Sequence, residues 1–259
     1  YAVLIGGLFQ FLLMYKAIFN FYRPRIKFPK FNERIKKFFV LFLPGIIGSG
    51  IIQLNIIIGT MIASLLSVGA ISHIYYADRL NQLPLAIFGI AIGIVLLPTL
   101  SKSIKKNIQE EIQEKQNRSL EFCLFISFPA AIGLYILSEP IIYILFERGA
   151  FLNEDTLITA RVLSMFALGL PAYILIKILV TCFFAREDTK TPLYVSIVSV
   201  ATNIILSLIL IQSMRETGIA LATAISAWIN AVLLYIILRN KNNISLDSRL
   251  VSNSYKIII

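Results

Sequence analysis

Residues 75–100 read YYADRLNQLPLAIFGIAIGIVLLPTL. From Leu83 to Leu100 the run carries no charge, and a helix that spans a bilayer needs about 20 mostly apolar residues, each adding about 1.5 Å against a core of roughly 30 Å. The run therefore predicts a membrane-spanning helix over 82–100. Its mouth carries Asp78 and Arg79. A charged pair there is costly, and it serves either a polar cargo or a neighbouring helix. Working outward, the same reading predicts spans near 38–66, 120–146, 157–184, 192–212 and 218–239, with residues 1–19 as the tail of another. The expected organisation is a helix end and basic linker over 1–37, a six-helix lobe over 38–239, and a linker over 240–259. Tyr1 already lies in apolar sequence, and Tyr255-Lys256-Ile257-Ile258-Ile259 reads as the first turn of a further helix. The expectation is a piece of a longer polytopic, all-α membrane protein.

Composition agrees. The chain is 58% hydrophobic and 15% charged, with a mean hydropathy of +0.81; a soluble domain carries about 25% charged residues. The net charge of +10 raises the question of nucleic acid, but the distribution answers it. Lys16, Arg23, Arg25, Lys27, Lys30, Arg34, Lys36 and Lys37 crowd residues 16–37, and Lys102, Lys105, Lys106, Lys115 and Arg118 crowd 101–119. Arg186 and Lys190, then Arg239 and Lys241, mark two further segments, while the intervening loops hold single arginines: Arg79, Arg148 and Arg215. Basic residues on every second connection are the positive-inside pattern, which places 16–37 in the cytoplasm and explains the charge without a nucleic-acid partner. Cys123 and Cys182 sit in apolar helical sequence without ligand spacing, as buried, inert thiols would.

Membrane lipids are the expected surroundings. Phe21, Tyr22, Phe28 and Phe31 interleave with basic residues, which suits an anionic lipid surface. Ile104, Ile108 and Ile112 recur every fourth residue among polar ones, either as a helix lying on the membrane surface or as a solvated helical linker. Pro44, Pro129, Gly169 and Pro171 fall inside spans, where kinks are tolerated if neighbours satisfy the freed carbonyls. Gly89 and Gly93 form a small face for close helix approach.

Several polar residues fall at membrane depth. Lys177 lies nine residues before Arg186, about 13 Å from the cytoplasmic end of its helix, where an ammonium requires a cavity or a partner. Arg79, 23 residues before Lys102 and so roughly 35 Å away, falls near the outer edge. Position alone leaves it either an interfacial, snorkelling arginine or a functional one. Gln53, Thr60 and Ser64 share a helix face with Asn55 to one side, either as interhelical glue or as a polar cavity wall. Asn203, Ser207 and Thr223 offer three neutral oxygens but no nearby carboxylate, so an ion site is not expected there. His73 is the sole histidine and is expected in a solvated outer loop. No nucleophile–base pair, metal-ligand cluster or phosphate-cradling loop is present, which argues against an enzyme and gives no sign of a cofactor.

The run Ile74-Tyr75-Tyr76-Ala77-Asp78-Arg79-Leu80-Asn81-Gln82-Leu83-Pro84, continuing through Gly89, Gly93 and Leu96-Leu97-Pro98-Thr99-Leu100-Ser101, resembles the MurJ (MviN) family of bacterial lipid II flippases. So do Phe146-Glu147-Arg148-Gly149-Ala150-Phe151, Phe184-Ala185-Arg186-Glu187-Asp188-Thr189-Lys190-Thr191-Pro192, and Gln53 with Asn55, Thr60, Ala63 and Ser64. The resemblance implies a fourteen-helix exporter of two six-helix lobes, of which this chain would be the sixth to twelfth helices and most of the second lobe. It implies lipid II as cargo and the bacterial cytoplasmic membrane as location. It also implies a cationic cavity to which this chain contributes Arg79, with Asp78 orienting it and Lys177, Gln53 and Asn55 as further substrate-binding candidates. Some members are thought to hold sodium; Asn203 and Thr223 look like ligand positions, but Gly59 and Ser207 stand where those members carry carboxylates.

Overall fold

In lipid a backbone must satisfy its own hydrogen bonds, so apolar runs of this length become helices. The structure is a computed structural model and describes residues 2–21, 32–250 and 252–253. All of its regular structure among those residues is helical. The aromatic–basic segment over 22–31 and the final residues 254–259 lie outside the described residues. Two units separate, one within residues 1–39 and one within 40–259. The first holds α1 (Ala2–Phe21), an apolar helix, and the start of α2 (Glu33–Ala63).

The second unit is a bundle. It contains the remainder of α2, then α3 (Ala70–Pro84), a π-helical turn (Leu85–Ile90), α4 (Ala91–Lys106), α5 (Gln109–Ile136), α6 (Ser138–Phe146), α7 (Asn153–Phe184) and α8 (Lys190–Asn240). Among the described residues, five helical runs are long and apolar enough to cross a membrane: Ile35–Ala63, Ala70–Lys106, Gln109–Ile136, Asn153–Phe184 and Lys190–Asn240. The last is two helices, because Arg215 leaves helical geometry at φ 51° and ψ −131° and turns the chain back. Ser199 donates to the Ser226 carbonyl at 3.0 Å, so the arms over 190–214 and 216–240 run antiparallel. α7 is the centre: 67% of its apolar window is buried, and it packs on α3, α4, α5, α6 and α8. Leu170, Ile174, Ile178 and Cys182 of α7 share one core with Leu96, Leu100, Cys123, Leu234 and Leu238.

Three expectations change. The span expected over 120–146 is broken at Leu137 into α5 and α6. Ile104, Ile108 and Ile112 do not lie on one surface helix; the chain turns at Asn107 (φ 57°), and α4 and α5 meet there as the ends of two spanning helices. Ser103 accepts from Lys115 at 2.5 Å and donates to Glu111 at 2.8 Å, stapling that turn. The third concerns His73, which lies within α3 and is 5% exposed instead of occupying a loop. Its Nε2 is 2.9 Å from Asp155 Oδ1, and its Nδ1 is 3.9 Å from the buried Glu216. Asp155 also accepts from the Leu152 amide at 2.8 Å, so one carboxylate ties the start of α7 to α3. Removing His73 takes a buried ring from the lobe and its hydrogen bond from the part-exposed Asp155. His73→Ala is expected to destabilise the protein by about 1.5–3 kcal/mol, read as a lower unfolding temperature. Arg215→Ala takes an exposed guanidinium from beside the buried Glu216, 3.8 Å away, and should also lower the unfolding temperature.

The opposite end is closed by polar contacts to the segment after α8. Asn117 donates to the Ser245 carbonyl at 2.8 Å, Arg118 pairs with Asp247, and Arg186 donates to the Asn243 carbonyl at 2.8 Å. Asp188 accepts from Lys241 at 2.9 Å and from the amide and hydroxyl of Thr191. Burial pushes the Asp188 carboxyl up, but those hydrogen bonds together outweigh it and hold the group below its ordinary range. Its contribution to stability is therefore present above the ordinary value of about 3.9 and is lost as pH falls through the depressed one. Asp188→Asn is expected to lower the unfolding temperature at neutral pH and to approach the wild type in acid below about pH 4.

Candidate functional site

α3 has three faces, set by helical spacing. Ala70, His73, Ala77, Leu80 and Asn81 are buried in the lobe. Tyr75 and Arg79, four apart, share an exposed face, and the guanidinium carbon of Arg79 lies 4.5 Å from the centre of the Tyr75 ring. Asp78 and Gln82, also four apart, are half-buried on the seam between these faces. Tyr76 turns the other way. Its ring packs against Phe146 at 4.8 Å and Phe151 at 5.6 Å. Two motifs 70 residues apart in the chain therefore meet, with Gly149 at φ 63° making the turn between the two phenylalanines.

The charged pair does not pair directly. Gln82 stands between its members: its Nε2 donates to Asp78 Oδ2, and its Oε1 accepts from Arg79 Nη1 at a long 3.5 Å. Gln82 is the residue that sequence reasoning passed over, and the one signal available was its i,i+4 spacing from Asp78. Just beyond it, Pro84 supplies no backbone donor, and the helix widens into the π-helical turn over Leu85–Ile90. Such turns change the phase of a helix, so the faces of α3 are not continuous with those of α4. Helix α3 itself begins about 13 Å before Arg79, so the motif lies within a helix and not at its mouth.

The remaining predicted residues are more dispersed. Lys177 is exposed on α7, and its stem runs close to Gly89, where an added Cβ would lie 3.6 Å from Lys177 Cγ. The helix that approaches the Gly89–Gly93 face is thus α7, with Thr181 next along it, its hydroxyl 3.7 Å from where a Cβ on Gly93 would lie. Gly89 lies ten positions beyond Arg79 along the helix, a rise of about 15 Å, so Lys177 flanks a different level of it. Gln53 and Thr60 are exposed along α2, and Ser64 is exposed just past its end. Asn55 is instead turned inward, its Oδ1 accepting from Asn203 Nδ2 at 3.0 Å, and Asn203 Oδ1 accepts from Ser207 at 3.2 Å. The structure brings together Asp78, Gln82 and Arg79; Lys177 and Gln53 stand apart from them, and Asn55 belongs to a helix–helix contact.

Among the described residues, no group of three or more His, Cys, Asp or Glu is placed to hold a metal ion, and Cys123 and Cys182 are buried. What the arrangement offers is an exposed guanidinium, backed by an aromatic ring and a polar relay, on a membrane-spanning helix.

Comparison with known proteins places this geometry. The family model described as "Lipid II flippase MurJ" matches residues 1–259. The chain is 42% identical over 245 residues to a protein of Rhizobium tropici named "Probable lipid II flippase MurJ", covering 94% of this chain and 46% of that one. It is 41% identical over 260 residues to a protein of the same name from Rhizobium meliloti (strain 1021), covering 100% and 48%. The chain thus spans about half the length of the curated relatives it matches. A solved structure titled "Lipid II flippase MurJ, inward closed conformation" superimposes with a TM-score of 0.77 at 30% identity, covering 98% of this chain and 51% of that one. An outward-facing multidrug resistance MATE family transporter of the MOP superfamily shares the fold at a TM-score of 0.71 and 14% identity, over 85% and 50%.

Proposed function

We infer the function of this chain from its family: it belongs to the lipid II flippase MurJ family, and we propose that it forms the second lobe of a two-lobed flippase in the bacterial cytoplasmic membrane. The whole protein moves lipid II, a polyprenyl diphosphate-linked disaccharide-peptide, from the inner to the outer leaflet. It is a transporter and catalyses no bond-breaking step.

The observation that carries this reading is the presentation of Arg79. Its guanidinium is exposed on a spanning helix, stacked on Tyr75 and touched at one edge by Gln82. A guanidinium fork matches phosphate oxygens bidentately, and a diphosphate is the part of lipid II that most needs neutralising on its way through a membrane. Asp78 acts on Arg79 through Gln82. Lys177 is a second, more distant cation, and Gln53 lends polar surface on α2. The polyprenyl tail stays in lipid. Rocking of one lobe against the other gives alternating access, and the cargo drives it only so far as it binds the two states unequally.

The test is growth rescue of a bacterium depleted of its lipid II flippase by the full-length gene. Rescue supports the reading. Failure of a well-expressed, inserted protein overturns it in favour of an exporter of other lipid-linked oligosaccharides or drugs, or of a non-transporting scaffold.

A further inference from the structure

Between α4 and α5 lies an open groove of about 620 Å³ whose lining changes character along its length. Ile92, Val95 and Phe122 line an apolar part, and Glu114, Lys115 and Arg118 line a charged one. Lys115 stands about 9 Å into α5 from Gln109, and Phe122 about 20 Å. The charged part is on the side of the basic 101–119 connection, which the positive-inside pattern places in the cytoplasm. It therefore meets the headgroups of the inner leaflet, and the apolar part meets their acyl chains. An exposed apolar face is ordinary in a membrane protein; one that ends on an acid and two bases is not.

The two cations are positioned without being used up. Lys115 donates to Ser103 at 2.5 Å and to Glu111 at 3.0 Å, two of an ammonium's three donors. Arg118 pairs with Glu121 and Asp247, two of a guanidinium's five. Glu114 precedes Arg118 by four residues and is spaced to pair with it, yet Arg118 turns to the other two carboxylates. Among the described residues, Glu114 is left with no hydrogen bond or ion pair.

We propose that this groove binds one inner-leaflet phospholipid with a zwitterionic, primary-amine headgroup, phosphatidylethanolamine being the chemistry that fits. The phosphate meets the remaining donors of Lys115 and Arg118, the ammonium meets Glu114, and an acyl chain lies along Ile92, Val95 and Phe122. Phosphatidylglycerol supplies the phosphate and the chain but no cation, so Glu114 is left facing a second anion. The site stands whether or not lipid II is the cargo.

The experiment uses the full-length protein in detergent, with dioleoyl phosphatidylethanolamine or dioleoyl phosphatidylglycerol titrated into the micelles and the unfolding temperature as readout. Phosphatidylethanolamine should raise that temperature saturably in the wild type, at a half-saturating mole fraction about tenfold below that of phosphatidylglycerol, the equivalent of about 1.4 kcal/mol. Glu114→Gln should abolish this preference. Val95→Trp, which fills the groove from an exposed position, should abolish the rise, and Ile94→Trp, exposed but outside the groove, should retain it. Equal half-saturation by the two lipids in the wild type would mean unspecific surrounding lipid only and overturns the proposal. A rise that survives Val95→Trp, or one lost in Ile94→Trp, also overturns it. Should Val95→Trp fail to insert, Glu114→Gln decides alone, and an unchanged preference overturns the proposal.

Discussion

Arg79→Ala in the full-length protein is expected to abolish growth rescue of a flippase-depleted bacterium while leaving the protein inserted at wild-type abundance. The two halves of that expectation have separate causes. Among the described residues, the contacts of the Arg79 guanidinium are the Tyr75 ring and one long hydrogen bond to Gln82. Both are exposed, so their loss costs the fold about 1 kcal/mol or less. A charge-assisted hydrogen bond to a diphosphate is worth about 1.5–3 kcal/mol, which amounts to roughly a 10- to 100-fold weakening of cargo binding. Arg79→Lys keeps the charge and loses the fork, so it should rescue growth partly. Rescue by Arg79→Ala at wild-type rate would remove Arg79 from the cargo site. Loss of the protein from the membrane fraction would instead show that its role is structural.

Gly218→Ala is expected to be the most damaging single-methyl change in the lobe. A Cβ there would meet the carbonyl oxygen of Leu210 at 2.6 Å and its carbon at 2.8 Å. Those are backbone atoms, held by the helix on either side of the Arg215 turn, and they cannot rotate away as a side-chain tip can. Overpacking of this kind costs about 1–3 kcal/mol, visible as a lower unfolding temperature and reduced abundance in the membrane. Gly133→Ala is the control. No atom lies within 4 Å of its added methyl, and alanine is the better helix former, so that variant should be neutral or slightly stabilised. Equal behaviour of the two variants would mean that the α8 arms are not packed as closely as described.

The two predictions rest on different kinds of information. That residues 82–100 cross a membrane was legible because hydropathy acts locally: each apolar residue contributes to insertion whatever its neighbours in space. The same holds for the alternating basic connections, and the structure gathers Arg118, Arg186 and Lys241 at one end, and His73, Arg215 and Phe151 at the other. Hydropathy also explains the misplacements. Ser72, His73, Asp78, Arg79, Asn81 and Gln82 lower the apolar signal, so the start of the helix read as a loop. The helix nevertheless continues through them, because Asp155, Glu216 and a cavity behind Asp78 give His73, Asp78, Asn81 and Gln82 a polar interior to face, while Ser72 and Arg79 lie on the exposed side.

What the amino-acid sequence determined by itself is therefore the class of the protein, the existence of apolar runs long enough to span, the alternation of its basic connections and the presence of Arg79 on such a run's helix. All four follow from local hydrophobicity, from charge counted along the chain, and from motifs that are contiguous. Only the tertiary structure decided that Gln82 stands between Asp78 and Arg79, that Tyr76 is clamped by Phe146 and Phe151, and that Asn81 and Tyr173 leave unused oxygens around one cavity. Those are facts about side-chain direction across helices. They depend on helix phase, here altered by a π-helical turn after Pro84, and no local pattern encodes the phase at which two distant helices meet.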